Sequence, residues 1–363
     1  MFFTIADVAE PLNLVAYFTK GLGDVVLDEV RELLLDAQAA AEPGDRFIVV
    51  RTGASNAATL IEQSRTIDDL RVMVAGPVDV ATSDDLDALC RAAAVQTERL
   101  LGEERRGTPN WSVTVAARNP VWRHQPKWSP GPSLARNLRG ADIQGTERQP
   151  VDLRLQIDGV EAHFALNLTP QPIGKTRRWE GATRLGALRP TVAAALVRLA
   201  VAHAPPASSL GLYDPFCGTG TIVEEAARLG LPVFASDIDV GAVELTRTRL
   251  ARLTSPSGGE LAHRVFVHDV LQGVPTRVNA ALIVSNLPWG KQVPLQTRLA
   301  VFENTAVIVA RGLSKGGACA LLTTHDDQLV AIMRRVYEGA TLSTQRIGLL
   351  GQTPGIVLAA PEA

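Results

Sequence analysis

Leu212-Tyr213-Asp214-Pro215-Phe216-Cys217-Gly218-Thr219-Gly220-Thr221 decides how this chain must fold. Leu210 to Tyr213 is short, apolar and followed by Asp-Pro, so it reads as a buried parallel strand ending at Asp214 rather than as a helix. From Thr221 the apolar residues Ile222, Val223, Ala226, Ala227 and Leu229 fall at helical spacing, and Gly230 stands where a helix C-cap belongs. Strand, glycine turn and helix together present backbone N–H groups and the positive end of a helix dipole to a carboxylate or phosphate. Cys217, Gly218, Thr219 and Gly220 are therefore candidate ligand contacts. A dinucleotide fingerprint would need a third glycine where Val223 stands, which disfavours a pyrophosphate-bearing ligand.

Outward from that turn the pattern keeps alternating. Leu188 to Leu199 reads as an amphipathic helix before the cradle strand, and VFASD, VFVHD, AALIVSN and GACALLTT read as four further strands separated by helix-compatible stretches. TLSTQRIGLL and GIVLAA close the chain as an antiparallel pair, giving an α/β doubly wound sheet with a C-terminal hairpin. Asp237 ends the second of these strands, 237 − 220 = 17 residues beyond Gly220, where doubly wound folds place an acid that accepts from ribose hydroxyls. Asp239 competes for that role, with helix capping as its other reading, and Ile238 is placed to cover one face of an adenine. Asp269, in VFVHD, brings a third acid to the same sheet edge.

Asn286-Leu287-Pro288-Trp289-Gly290 follows the fourth strand. An exocyclic amine is a poor nucleophile because its lone pair is conjugated into the ring. The Asn286 side-chain oxygen and the Leu287 carbonyl can accept its two N–H bonds and so turn the lone pair toward an electrophile. Pro288 stiffens the loop, and Trp289 offers a stacking face for an extruded base.

The chain of 363 residues is long enough for two or three domains, and its 46% hydrophobic content supports well-filled cores. No run of about eighteen apolar residues occurs, and the N-terminus lacks the features of a signal peptide, so a cytoplasmic protein with no membrane partner is expected. Cys90, Cys217 and Cys319 have no CxxC spacing and the histidines form no HExxH or HxH pair, which points to reduced thiols and no metal.

The formal net charge is −2, but its distribution is uneven. Arg118, Arg123, Lys127, Arg136 and Arg139 follow one another with no acid between them, interleaved with Trp122, His124 and Trp128. Lys175, Arg177, Arg178, Arg184 and Arg189 form a second basic stretch against Glu180 alone. Each stretch could be a solvated face; together they look more like an RNA path. Residues 13 to 80 alternate strand and helix as a small ferredoxin-like α+β unit, and a helical stripe from Thr82, the strand WSVTVAAR, the helix PSLARNLRGADI and a hairpin turning at Asp158-Gly159 follow. One face of that hairpin is core; the other carries Arg154 and Gln156 to solvent or a partner.

Led by Asp214, DPFCGTGT resembles the first motif of S-adenosylmethionine (SAM)-dependent methyltransferases, whose cofactor carries an ammonium and a sulfonium beside its carboxylate. NLPWG resembles the (Asp/Asn)-x-Pro-aromatic motif of enzymes that methylate exocyclic or amide nitrogens. The order of elements over residues 13 to 170 is similar to a THUMP RNA-binding domain preceded by its ferredoxin-like companion. The whole chain thus resembles the THUMP-domain tRNA (guanine-N2)-methyltransferases. That resemblance implies a ferredoxin-like domain at 1–80, a THUMP domain at 81–170, a linker at 171–187 and a Rossmann-like methyltransferase domain at 188–363. It also implies that Asp214, Cys217, Gly218, Thr219, Gly220, Asp237, Ile238, Asp269 and Leu188 hold SAM, Asp269 through the adenine amino group. Asn286, Leu287, Pro288 and Trp289 would hold the guanine. Arg123, Lys127, Arg136, Arg139, Lys175, Arg177, Arg178, Arg184 and Lys291 would face tRNA, with no DNA partner and a monomer or weak oligomer expected. The Pro-aromatic-Gly-Lys continuation is closest to members acting on acceptor-stem guanosine 6. The same catalytic domain acting on adenine-N6 or ribosomal guanine, or an RNA-binding protein with a relic SAM site, are the alternative readings. The chain departs from the family pattern at Leu287, at Trp289, and at Thr248 or Arg249, where relatives often carry Pro, Tyr or Phe, and Asn.

Overall fold

A computed structural model describes residues 11–34, 46–101, 111–118, 130–138, 141–143, 151–177, 184, 186–204, 211–253, 263–276, 278, 280–288, 294–313 and 316–362. The chain divides into two compact units, Met1–Tyr17 with Leu27–Thr176, and Phe18–Val26 with Arg177–Ala363.

The first unit holds β1 (Leu12–Tyr17), most of α1 (Gly23–Leu33), β2 (Phe47–Thr52), α2 (Ala54–Gln63), β3 (Asp69–Asp79), α3 (Ser83–Leu101), β4 (Trp111–Arg118), α4 (Gly131–Asn137), β5 (Ala141–Ile143), β6 (Val151–Asp158), β7 (Glu161–Asn167) and α5 (Ile173–Thr176). Its strands form one sheet in the order β2-β1-β3-β7-β6-β4-β5. The elements of residues 12–79 and those of 111–167 therefore share a sheet, joined where β3 pairs antiparallel with β7.

Local chemistry sets the element ends. At the start of α3, the Thr82 N–H donates to Asp85 and the Asp85 N–H donates to the Thr82 hydroxyl, a reciprocal cap that satisfies two helix-end donors. α2 stops at Gln63 because Ser64, Arg65 and Thr66 spend their polar groups on the buried Glu29 carboxylate of α1. The segment expected as one helix over PSLARNLRGADI divides into α4 and the short β5, which pairs parallel with β4.

Two features of the β6–β7 hairpin differ from expectation. Its loop is Gly159–Val160, one residue later than Asp158-Gly159, because Asp158 still pairs in register with Glu161. Its second face is covered rather than open: Gln156 is buried, and the Arg154 guanidinium lies 4.2 Å from the centre of the Tyr17 ring. On the same sheet the buried Arg71 pairs with Asp69 at 2.8 Å and with Asp152 at 2.6 Å, so two desolvated carboxylates share one guanidinium.

The second unit holds α6 (Pro190–His203), β8 (Leu212–Asp214), α7 (Thr221–Arg228), β9 (Val233–Asp237), α8 (Val240–Leu250), β10 (His263–Val267), β11 (Leu282–Asn286), α9 (Leu295–Leu313), β12 (Cys319–Thr323), α10 (Asp326–Val336), β13 (Ala340–Arg346) and β14 (Gly355–Pro361). The strand order is β10-β9-β8-β11-β12-β14-β13. The first five strands in that order are mutually parallel, and β14 runs antiparallel between β12 and β13, so the expected doubly wound sheet with its closing hairpin is present. α6 begins at Pro190 rather than Leu188, because a residue before proline is pushed to extended backbone and Arg189 has ψ 141°. Its apolar face joins Ile222, Val223, Ala226, Leu212, Leu282 and Val284 in one core. Leu22 and Val25 from the Phe18–Val26 segment are buried in that same core.

Candidate active site

Parallel pairing places the carboxyl ends of β10, β9, β8 and β11 side by side, with Val267 opposite Asp237, Asp214 opposite Ala235 and Tyr213 opposite Ile283. Asp214, Asp237 and Asn286 each end their strand at this edge, and Asp269 follows two residues beyond β10. Ligands of doubly wound folds bind along such an edge, where the strand order reverses. Here the order reverses at β8, the cradle strand.

After β8 the turn folds on its own donors. The Cys217 N–H donates to the Ser236 carbonyl, the Gly218 N–H to the Asp237 carboxylate at 2.9 Å, and the Gly220 N–H to the Cys217 carbonyl at 2.8 Å. α7 then runs to Arg228 and closes with bonds from the Gly230 and Leu231 N–H groups to the Ala227 and Ala226 carbonyls, so Gly230 stands where the sequence placed the stop. At Gly220 φ is +79°, and an added Cβ would lie 2.9 Å from the Thr246 hydroxyl of α8.

The acids differ sharply in environment. Asp214 is buried, and its Oδ1 accepts from the Ser285 hydroxyl at 2.6 Å and from the Phe216 N–H at 3.1 Å. Desolvation dominates over those bonds, and the nearby Asp237 charge adds to it, so the Asp214 pKa is pushed up to about 7. Asp237 accepts from the Gly218 N–H and the Asp239 N–H, which ties β9 to the glycine turn. Asp239 caps α8 through the Ala242 N–H and pairs with Arg184 at 2.8 Å, and the bond from Arg184 holds its carboxyl below the usual range. Asp269 accepts from the Leu271 N–H and caps the short 3-10 turn Val270–Gln272. Ile238, Val240, Val267 and Leu271 are exposed around these strand ends, Ile238 by 67%, an apolar surface suited to a flat ring.

At the end of β11, the Asn286 Nδ2 donates to the Gly186 carbonyl at 3.1 Å, which turns the Oδ1 of the same planar amide the other way. The Leu287 side chain is fully buried and its N–H donates to the Leu322 carbonyl, so the part expected of it falls to its backbone carbonyl. Pro288 is half-buried. Leu188 is partly buried against the apolar core beneath the cradle.

Trp289, Lys291, Arg123, Lys127, Arg139 and Arg178 lie outside the described residues. Of the other basic candidates, Arg136 pairs with Asp87 at 2.8 Å and Arg184 with Asp239, Lys175 is exposed on α5, and Arg177 is half-buried.

Three residues of the site escaped the sequence reading. Ser285 bonds the cradle acid from the neighbouring strand, Thr246 donates to the Gly218 carbonyl at 2.9 Å, and Arg249 donates to the Thr219 carbonyl at 2.8 Å. The only sequence signal was Arg249 as a departure from the family pattern.

Residues 177–350 match the UPF0020 family profile, the RMKL-like, methyltransferase domain. The matched stretch lies within the second compact unit. A stretch of 104 residues is 39% identical to a tRNA (guanine(6)-N2)-methyltransferase of Thermus thermophilus, and it covers 28% of this chain and 29% of that enzyme. The chain thus matches less than a third of that relative's length in sequence. In fold, the chain resembles TrmN from Thermus thermophilus, with a TM-score of 0.69 and 24% identity over 96% of this chain and 99% of that one. It also resembles SMU.472, a putative methyltransferase solved as a complex with SAH, with a TM-score of 0.66 and 16% identity over 98% of this chain and 99% of that one. No helix among the described residues is long and apolar enough to cross a membrane.

Proposed function

We propose that this methyltransferase uses SAM to methylate the exocyclic N2 amine of a guanosine in tRNA, at acceptor-stem position 6. The observation that carries the reading is the position of Asn286 at the end of β11, one residue after the Ser285 that bonds Asp214 of the cradle. An amide oxygen there suits a neutral N–H donor, and Pro288 follows it in the loop. The base and position follow the Thermus relative, a tRNA (guanine(6)-N2)-methyltransferase that is 39% identical over 104 residues.

The residues present fit the cofactor. The Thr219 hydroxyl oxygen is buried without a hydrogen-bond partner, and the outer side of Gly218 is open, so the turn has both an unspent polar group and room for a ligand. Thr219 would hold the carboxylate end, with Gly218 and Gly220 leaving the backbone room to approach it, Asp237 the ribose hydroxyls, and Ile238 with Asp269 the adenine. When bound, SAM supplies a methyl carbon made electrophilic by its sulfonium. Asn286 Oδ1 and the Leu287 carbonyl orient the guanine amine, and the rate arises mainly from that alignment. Asn286 is uncharged, so the amine proton leaves to water. In this reading residues 81–170 bind the RNA, and Lys175, Arg177 and Arg178 each contribute positive charge toward it.

Incubation of the full chain with labelled SAM and total tRNA, rRNA or DNA, followed by digestion to nucleosides, tests the target. Label in N2-methylguanosine of tRNA is expected; label confined to N6-methyladenosine overturns the base assignment. Asn286→Ala should reduce transfer at least about 100-fold while SAM binding by calorimetry changes less than about threefold, whereas Asp237→Ala should weaken SAM binding about tenfold or more. Equal loss of SAM affinity in both variants contradicts this division of roles.

A further inference from the structure

We infer that Thr246 and Arg249, one turn apart on α8, are positioning residues that set the glycine turn for its ligand by holding two successive carbonyls away from it. The inference rests on SAM as the occupant of the turn.

The Thr246 hydroxyl donates to the Gly218 carbonyl at 2.9 Å, and Arg249 Nη1 donates to the Thr219 carbonyl at 2.8 Å. Both side chains are buried. Arg249 is itself fixed, since Nη1 also donates to the Thr221 hydroxyl at 2.9 Å and its guanidinium pairs with Glu224 on α7. In a trans peptide the carbonyl and the following N–H point in opposite directions. With the Gly218 carbonyl drawn toward α8, the Thr219 N–H faces away from α8, and no described residue accepts it. The neighbouring Cys217, Gly218 and Gly220 N–H groups are all spent within the protein. Thr219 thus holds an unspent N–H and an unpartnered buried hydroxyl, two donors on one residue, which is the hydrogen-bonding complement of a carboxylate. Release of the Gly218 carbonyl would let its peptide rotate and replace the Thr219 donor with an acceptor, and release of the Thr219 carbonyl would free a second acceptor to face the anion.

Isothermal titration of SAM into the full chain tests this with Thr246→Val, which keeps the shape packed on Gly220 but loses the donor, and Thr246→Ser, which keeps the donor. Thr246→Val should raise the SAM dissociation constant about five- to tenfold and Thr246→Ser less than about twofold, with kcat at saturating SAM within about twofold of wild type in the Val variant. Arg249→Met should also weaken SAM binding about fivefold or more. SAM affinity within about twofold of wild type in Thr246→Val, or an equal loss in Thr246→Ser, overturns the inference. If the wild-type chain itself binds no SAM, the cofactor assignment fails instead.

Discussion

Asp214 is the residue on which the chemistry and the stability of the site meet. Its carboxyl is desolvated on β8 and held by the Ser285 hydroxyl and the Phe216 N–H, with its pKa raised to about 7 from an ordinary 3.8. The folded protein therefore keeps a proton that the unfolded chain releases, and the stability this contributes is fully present below the unfolded value and lost as pH rises through the folded one. Asp214→Asn imitates the protonated form at every pH. The stability of this variant relative to wild type, from urea midpoints at a series of pH values, should rise between about pH 4 and pH 7 and level off above. A difference that stays flat across that range would show that Asp214 is ionised throughout. Asp237, Asp239 and Asp269 are legible in the sequence as acids at strand ends, and so is the capping of α8 by Asp239. Ser285 was not legible, because a serine inside an apolar strand carries no pattern until the neighbouring strand is known.

The strand–turn–helix of β8 and α7 is the element that the sequence specified most completely. Its glycines, its helical stripe and its stop at Gly230 all depend on residues close in the chain. Why Gly220 must be glycine is a different matter, since the reason lies on α8. A side chain there would be strained at φ +79° and would press on Thr246, whereas Gly230, at φ +77°, has open space around it. Gly230→Ala should therefore cost about 1 kcal/mol, and Gly220→Ala more, about 2–3 kcal/mol together with weakened SAM binding. Thermal melts and calorimetry on the pair separate backbone strain from collision. Equal costs would mean that α8 yields freely.

At the scale of the whole molecule, the second unit is not one continuous stretch of chain. Phe18–Val26 belongs to it: the Lys20 carbonyl accepts from the Gly348 N–H, the Gly21 carbonyl from Gln345, and the Thr19 hydroxyl from Arg189. Leu22 and Val25 fill the core beneath the cradle. A fragment beginning at Arg177 would lose both side chains and those bonds, and should melt well below the full chain. Leu22→Ala in the full chain should cost about 2–5 kcal/mol by denaturant titration. A fragment as stable as the full chain would show that the segment adds nothing to this core. The linker expected at 171–187 straddles the unit boundary at Thr176, and no local pattern signals that residues 18–26 change partners.

By itself the sequence determined the α/β alternation, the glycine turn between β8 and α7, the strand-end acids and the antiparallel close of the sheet. Each is written in local periodicity, turn chemistry or a short motif. Only the tertiary structure decided which side chains hold the cradle from behind, that Arg154 and Gln156 lie on a covered face, and that Arg136 and Arg184 are paired with Asp87 and Asp239. Those outcomes depend on groups that lie far apart in the chain, on burial that shifts the Asp214 proton, and on helix packing that brings Thr246 and Arg249 behind the turn; none of these leaves a mark in neighbouring residues.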